Sequence, residues 1–427
     1  MKTKCLVGFL ISILTFQVFL ISSFPVQAQT EDQPSDVFVG VDVAYDNMTE
    51  IKALINEISP YTNLFGIGCT GITDNVTRLN EVCQYAYDKG LSFIVYTDRA
   101  LRRQWLEDAK NMWGERFLGF YFWDENCGKQ LDLYEYKPVD EAANYSDAAN
   151  QFVNIMTRSL NFMSYNDPAI PAVFTSDYAL YWFDYKVGYD VVLAQLCWNY
   201  SRQLNIALCR GAATMHEKDW GVIVAWTYTE PPYIESGDDL YNDLVLAYEN
   251  GAKYILIFDS NKNYTHGILM EEHFAALKQF WQYTQNNPRE NSATSDRVAY
   301  VLPKDYGYGF RGPTDRIWGL WEADNITEQI CTTLGSYLEE YGSRLDVIYD
   351  EELGPGNTYG YSKLLAWDPS APSPSEPQSD PSLNVPAEFL YTLAAVTSVA
   401  VVGTYLVVYV WKKKAKTAQR TSLSRSS

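Results

Sequence analysis

From residue 37 onward the chain alternates short apolar runs, rich in β-branched and aromatic residues, with stretches of helical period. The runs lie at 37–44, 64–68, 91–96, 117–123, 172–175, 191–198, 221–227 and 254–258. Val222-Ile223-Val224-Ala225-Trp226 is apolar at every position, the pattern of a parallel strand buried on both faces. Between the runs, Val76, Leu79, Val82, Cys83 and Ala86 repeat at helical spacing behind Asp74-Asn75 as cap, and Gly90 closes the stretch. Ser236-Gly237-Asp238 opens a second helix carrying Leu240, Leu244 and Ala247, with Gly251 after it. Further helices are expected over 142–162 and 271–283.

Eight such strand–helix units within residues 37–290 fit a (β/α)8 TIM barrel, a fold of about 250 residues. A doubly wound sheet is the alternative, but it usually has fewer strands. Residues 296–367 predict a smaller α/β accessory domain, with strands at 298–302, 345–349 and 363–366 around a helix at 327–341. It contains Gly307-Tyr308-Gly309-Phe310-Arg311-Gly312 directly after a strand. A dinucleotide site needs the third glycine to lead into a helix, whereas Pro313 follows, so this reads as an aromatic, glycine-rich loop.

The two ends of the chain carry a different pattern. Lys2 and Lys4 precede an apolar run over 6–21, and Val26-Gln27-Ala28 resembles a cleavage site, so residues 1–28 read as a secretory signal peptide. Residues 389–411 hold no charge and are long enough, at about 1.5 Å per residue, to cross a hydrocarbon core of about 30 Å. Phe389, Tyr391, Tyr409 and Trp411 sit at the edges of that segment, and Lys412, Lys413, Lys414 and Lys416 follow. The expected topology is therefore a single C-terminal transmembrane helix in the cell membrane, with a cytoplasmic basic tail over 412–427 and residues 29–388 extracellular. Residues 368–386, punctuated by Pro369, Pro372, Pro374, Pro377 and Pro381, read as an extended Pro/Ser-rich stalk.

Composition then narrows the function. The chain of 427 residues carries 53 acidic and 33 basic side chains. Eight of the basic ones belong to the two ends, so the part between them is more acidic than the net charge of −20 suggests. Such a surface repels phosphate backbones and argues against a nucleic-acid partner. Three His, scattered as His216, His266 and His273, leave little material for a histidine-rich zinc site, and no metal or cofactor is expected. Beyond Cys5 in the signal there are six cysteines, at 69, 83, 127, 197, 209 and 331. Outside the cell an even number predicts disulfides, Cys127 and Cys197 among their members, with buried free thiols as the other reading. N-x-[ST] sequons at Asn47, Asn75, Asn144, Asn199, Asn263 and Asn325 are consistent with a glycoprotein.

A TIM barrel carries its site at the carboxyl ends of its strands. The residues expected there are Asp46, Thr70, Asp98, Asp124-Glu125, Ser176-Asp177, Trp198, Glu230 and Asp259, a ring of carboxylates interleaved with Trp123, Trp226 and Tyr228. Paired carboxylates suit glycoside hydrolysis, in which one protonates the leaving oxygen and the other attacks the anomeric carbon or activates water. Aromatic faces suit the apolar faces of sugar rings. Asp98, Asp177, Trp123, Trp198, Trp226, Tyr228 and Asp259 are accordingly candidates for carbohydrate binding, and Arg311 a further cation within reach.

Carboxylates ending the fourth and seventh strands resemble the retaining glycoside hydrolases of the (β/α)8 superfamily called clan A. The resemblance spans about residues 37–283 and is topological. It implies Glu125 as acid/base and Glu230 as nucleophile. That family usually has Asn immediately before its acid/base, and this chain has Asp124, which either raises the pKa of Glu125 or is itself the working group. The expected function is a surface-tethered glycoside hydrolase, a hydrolase of O-glycosyl bonds acting on extracellular glycans. A non-catalytic carbohydrate-binding or cell-surface interaction protein on the same scaffold is the competing expectation.

Overall fold

The computed structural model describes residues 37–98, 103–132, 137–164, 171–289, 296–351 and 359–367. The signal segment, the stalk over 368–386, the segment 389–411 and the basic tail lie outside the described residues. Among the described residues no helix is long and apolar enough to cross a membrane.

Eight parallel strands close a barrel in sequence order: β1 (Phe38–Val43), β2 (Leu64–Ile67), β3 (Ser92–Thr97), β4 (Phe117–Phe122), β5 (Val173–Asp177), β6 (Val191–Leu196), β7 (Asp219–Val224) and β8 (Tyr254–Asp259). The ladder closes where Phe38 pairs with Tyr254 and Val43 with Asp259. Each of the eight apolar runs became a strand. The helices are α1 (Met48–Ile58), α2 (Thr70–Thr73), α3 (Val76–Asp88), α4 (Arg103–Trp113), α5 (Asn126–Leu131), α6 (Tyr145–Ser164), α7 (Tyr181–Val187), α8 (Arg202–Met215), α9 (Gly237–Glu249), α10 (Glu271–Asn286) and α11 (Thr327–Tyr341). The expected caps are in place: Asn75 Oδ1 accepts from the N–H groups of Thr77 and Arg78, and Ser236 Oγ accepts from Asp239.

Two apolar compartments result. Inside the barrel, Leu64, Ile94, Tyr121, Phe174, Leu193, Ile223 and Leu256 pack against one another. The larger core fills the space between barrel wall and helices. In β4 a register shift opposite Phe93 and Ile94 inserts an extra residue, and Gly119 there has φ 140°. A Cβ on Gly119 would stand 2.0 Å from the Ala172 carbonyl oxygen, so the close approach of β4 to β5 requires glycine.

The smaller unit forms a parallel three-stranded sheet of order β10 (Leu345–Tyr349), β9 (Val298–Leu302), β11 (Lys363–Ala366). It docks on α8. Gly211 lies so close to β10 that a Cβ would meet the Val347 carbonyl oxygen at 2.3 Å. Beside it Arg210 donates to the fully buried Asp346 at 2.6 Å and to the carbonyls of Ser343 and Leu345. The glycine-rich loop likewise serves packing: a Cβ on Gly307 would strike the buried Trp318 ring, and two isolated antiparallel bridges link Tyr308, Ile317 and Trp321. No helix opens at Gly312, the next beginning only at Thr327, so the structure leaves this loop an aromatic clamp.

The cysteine expectation is corrected. All six described cysteines are free thiols, including Cys127 and Cys197, and all but Cys331 are buried. They pack as small apolar residues on separate elements; Cys209 donates to the Val192 carbonyl and Cys127 to that of Leu180.

Candidate active site

At the carboxyl ends of the strands lies an open cleft of about 520 Å³ lined by Tyr121, Asp124, Glu125, Ser176, Gln195, Cys197, Trp198, Ile223, Ala225, Trp226, Phe258 and Tyr264. Strand alternation places Tyr121 inside the barrel and Phe120 and Phe122 in the outer core. Continued pleating would send Asp124 and Glu125 to opposite faces. They share the cleft because the backbone leaves the pleat: Trp123 has φ 37° and Glu125 φ 60°, both left-handed. Non-glycine residues held there cost on the order of 1–3 kcal/mol each, and such strain concentrates at functional sites. The surroundings hold the turn. Thr175 Oγ1 and Asn126 Nδ2 donate to the Trp123 carbonyl, and the Glu125 N–H continues the ladder to Ser176 O at 2.7 Å.

Asp177, one of the expected sugar ligands, serves this turn from beneath. It is fully buried and accepts from the N–H groups of Cys127 (2.8 Å), Gly128 (2.9 Å), Tyr178 (2.8 Å) and Ala179 (3.2 Å). The first two are N–H groups of the opening turn of α5, which has no capping side chain of its own. Burial, then the charge of Glu125, push Asp177 up to about 7. Cys127, Asp177 and Asp184 could each offer one ligand atom, all within 4.8 Å of one another, the only such metal-compatible group among the described residues. Both Asp177 oxygens are already engaged with backbone N–H groups, so the fold uses this junction to fix α5. The far end of α5 is fixed by the accessory unit. Gln130 donates to the Trp318 carbonyl at 2.9 Å, and Arg311 joins Asp132 (2.6 Å) to Asp315 (2.7 Å). Arg311, expected as a cation near the substrate, is thus a structural brace.

Glu125 sits at the head of a relay. Gln195 Nε2 donates to Glu125 Oε1 at 3.1 Å and to Ser176 Oγ at 3.0 Å, while Tyr121 OH donates to the same Ser176 Oγ at 2.5 Å. Lys129, one helical turn on, lies 3.8 Å from Glu125 Oε2 and 3.7 Å from Asp124 Oδ1. Burial, followed by the neighbouring Asp124, raises Glu125 from its ordinary 4.5 to about 6, against the opposing pull of Lys129 and Gln195. Beneath the mouth Asp42, 2% exposed, is pushed up to about 8 by burial and then by Asp124, so it is a neutral acid at pH 7.

The aromatic walls are also held from behind. Arg202 donates to the carbonyls of Cys197, Trp198 and Tyr200 while pairing with Glu235 and Asp243, which fixes the β6 loop and Trp198. Trp226 Nε1 donates to Ser260 O at 2.7 Å. Asp259 accepts from the N–H groups of Ile268 and Leu269 and from Tyr45 OH, closing the loop that carries Tyr264.

The structure therefore brings Asp124, Glu125, Trp198 and Trp226 together and leaves other sequence candidates elsewhere. Asp177 and Asp259 are buried backbone acceptors. Trp123 packs against the core, Asp98 is exposed after β3, and Tyr228 is exposed in the β7 loop. None of these five lines the cleft. Glu230, the expected nucleophile, has a side chain 70% exposed and ion-paired with Lys262, and it too is outside the cleft wall. Tyr121, Gln195, Tyr264, Lys129 and Asp42 were not singled out in the sequence. A lone glutamine in the apolar run 191–198 was the one available signal.

No protein-family model matches this sequence, and no curated protein sequence matches it. Among solved structures it is similar to a β-galactosidase from the psychrophilic Marinomonas ef1, at 11% identity over 79% of this chain and 73% of that one, with TM-score 0.49. It is also similar to α-L-fucosidase isoenzyme 2 from Paenibacillus thiaminolyticus, at 10% identity over 77% and 59% of the two chains, TM-score 0.45. A β-mannanase from the blue mussel Mytilus edulis matches at 7% identity over 60% and 93%, TM-score 0.38. These likenesses are too distant to carry an argument about activity. The fold class, an eight-stranded parallel (β/α)8 barrel, rests on this chain's own strand ladder.

Proposed function

We propose that this protein is a glycoside hydrolase with Glu125 as its proton donor. The observation that carries the reading is a carboxyl raised to about 6, set in a cleft walled by Trp198, Trp226 and Tyr264. A general acid works best when its pKa lies near the working pH, and aromatic faces are what a pyranose ring stacks on. Asp124 is the second carboxylate of the site. With residues 1–28 as signal and 389–411 as membrane anchor, the barrel works outside the cell on glycans within reach of the stalk.

The test is release of reducing sugar from a panel of polysaccharides and aryl glycosides by the full chain in detergent micelles. Release that disappears in Glu125→Gln supports the reading. Calorimetric binding of oligosaccharides with no product over long incubation favours instead a non-catalytic glycan-binding protein. Glu230, solvated and paired with Lys262 outside the cleft wall, is the observation that gives that second reading weight.

A further inference from the structure

Among the described residues, the cleft holds an acid but lacks the partner that ordinary retention needs. A retaining enzyme with its own nucleophile places two carboxyls about 5–5.5 Å apart on opposite faces of the scissile bond; an inverting one leaves about 6.5–9.5 Å for water. The end of β7 contributes Ala225 and Trp226 to the wall, and no carboxylate. Among the described residues lining the cleft the carboxylates are Asp124 and Glu125 alone. They are consecutive in the chain, and each has an oxygen within 4 Å of the same Lys129 ammonium. Two groups so joined approach a sugar from one side. Cys197 cannot stand in, because burial pushes its thiol up to about 12. Asp42 is buried and holds its proton.

We propose that the substrates are glycosides of 2-acetamido-2-deoxy sugars, whose own acetamido oxygen serves as the nucleophile while Asp124 holds the acetamido N–H. This rests on the glycosidase reading above. The acetamido carbonyl oxygen forms a bond to the anomeric carbon as the bond from that carbon to the leaving oxygen breaks. Glu125 gives its proton to the leaving oxygen. The positive charge that develops on the acetamido group as the five-membered ring closes is stabilised by the Asp124 carboxylate, which accepts the N–H hydrogen bond. Water then attacks the anomeric carbon and gives its proton to Glu125, and the ring opens to restore the acetamide. The product keeps its anomeric configuration, and the enzyme forms no covalent bond to sugar. The left-handed turn at Trp123 and Glu125 makes this possible, since it is what brings both carboxylates into one cleft. Ile223, Ala225 and Phe258 give the acetamido methyl an apolar seat in the same cleft.

The experiment uses 4-nitrophenyl glycosides in matched pairs, 2-acetamido against 2-hydroxy, with N-trifluoroacetyl analogues and a sugar-fused 1,2-thiazoline as probes. Expected results are turnover confined to the acetamido member and a rate falling roughly 10-fold or more with fluorination. The thiazoline should bind at least about 10²-fold tighter than the parent sugar, as a transition-state mimic does. Asp124→Asn should lower kcat on the acetamido substrate by about 10²-fold or more. Equal turnover of the 2-hydroxy member, or a covalent glycosyl-enzyme trapped with a 2-deoxy-2-fluoro glycosyl fluoride, would overturn the inference while leaving the glycosidase reading intact. No turnover of any glycoside, together with no thiazoline binding, would remove both.

Discussion

Gln195 Nε2 lies 3.1 Å from Glu125 Oε1 and reaches it from the neighbouring side of the barrel mouth, on β6 rather than β4. Its hydrogen bond favours the charged carboxylate, whereas burial and Asp124 favour the neutral acid. The balance leaves Glu125 at about 6. As the donor it must be protonated, so activity should fall as pH rises through that value. Gln195→Leu removes an interaction that lowers the pKa and should shift this alkaline limb upward. A pH profile of kcat/KM for wild type and variant checks the sign.

Asp124 and Lys129 should displace the same limb in opposite directions. Asp124 raises Glu125 and Lys129 lowers it. Lys129→Met should therefore move the limb to higher pH, and Asp124→Asn, on its residual activity, to lower pH. Movement of both limbs in the same direction would contradict the electrostatic account.

Asp42 should make stability pH-dependent. Its folded value of about 8 stands above the ordinary 3.8, so the folded chain retains a proton that the unfolded chain releases. Stability contributed by this group is complete below about pH 4 and is lost as pH rises through about 8. Asp42→Asn should raise Tm more at pH 8 than at pH 5, with little change in the barrel's circular dichroism. An equal gain at both pH values would show that Asp42 is not buried as a neutral acid.

Asp177 should act as a positioning residue. Replacement by Ala leaves the N–H groups of Cys127 and Gly128 without an acceptor beneath the Glu125 turn. Each buried group so orphaned costs about 1–3 kcal/mol. A lowered Tm with kcat reduced more than KM is expected, because Glu125 loses its support while the aromatic walls remain. Asp177→Asn, which keeps one accepting oxygen, should recover part of both.

Much of the scaffold was legible because periodicity alone carries it. The runs at 222–226 and 254–258 are apolar throughout, and strands buried on both faces are what such runs make; Asn75 and Ser236 cap the helices they precede. Other elements carry no such signature. In α8 every residue from Asn205 to Ala213 is buried, so no polar stripe marks its period, and the docking of β10 on Gly211 is a tertiary contact. The site was legible in part for the same reason. Glu125 follows a strand and can be placed, but that Asp124 shares its cleft depends on left-handed backbone at Trp123 and Glu125, which alternation does not predict. Glu230 likewise follows the seventh strand at the expected place, yet the loop carries it outward to Lys262. Strand ends fix which loop a residue occupies, not the direction in which its side chain leaves the barrel.

The central claim is that proton donation resides in Glu125 and not in a Glu125–Glu230 pair. The most direct measurement is kcat/KM of wild type, Glu125→Gln and Glu230→Gln on the same substrate with a poor leaving group. The account predicts a loss of about 10²–10⁴-fold for Glu125→Gln, the size of a missing general acid, and a change within about twofold for Glu230→Gln. An unaffected rate in Glu125→Gln, or an equal collapse in Glu230→Gln, would contradict it.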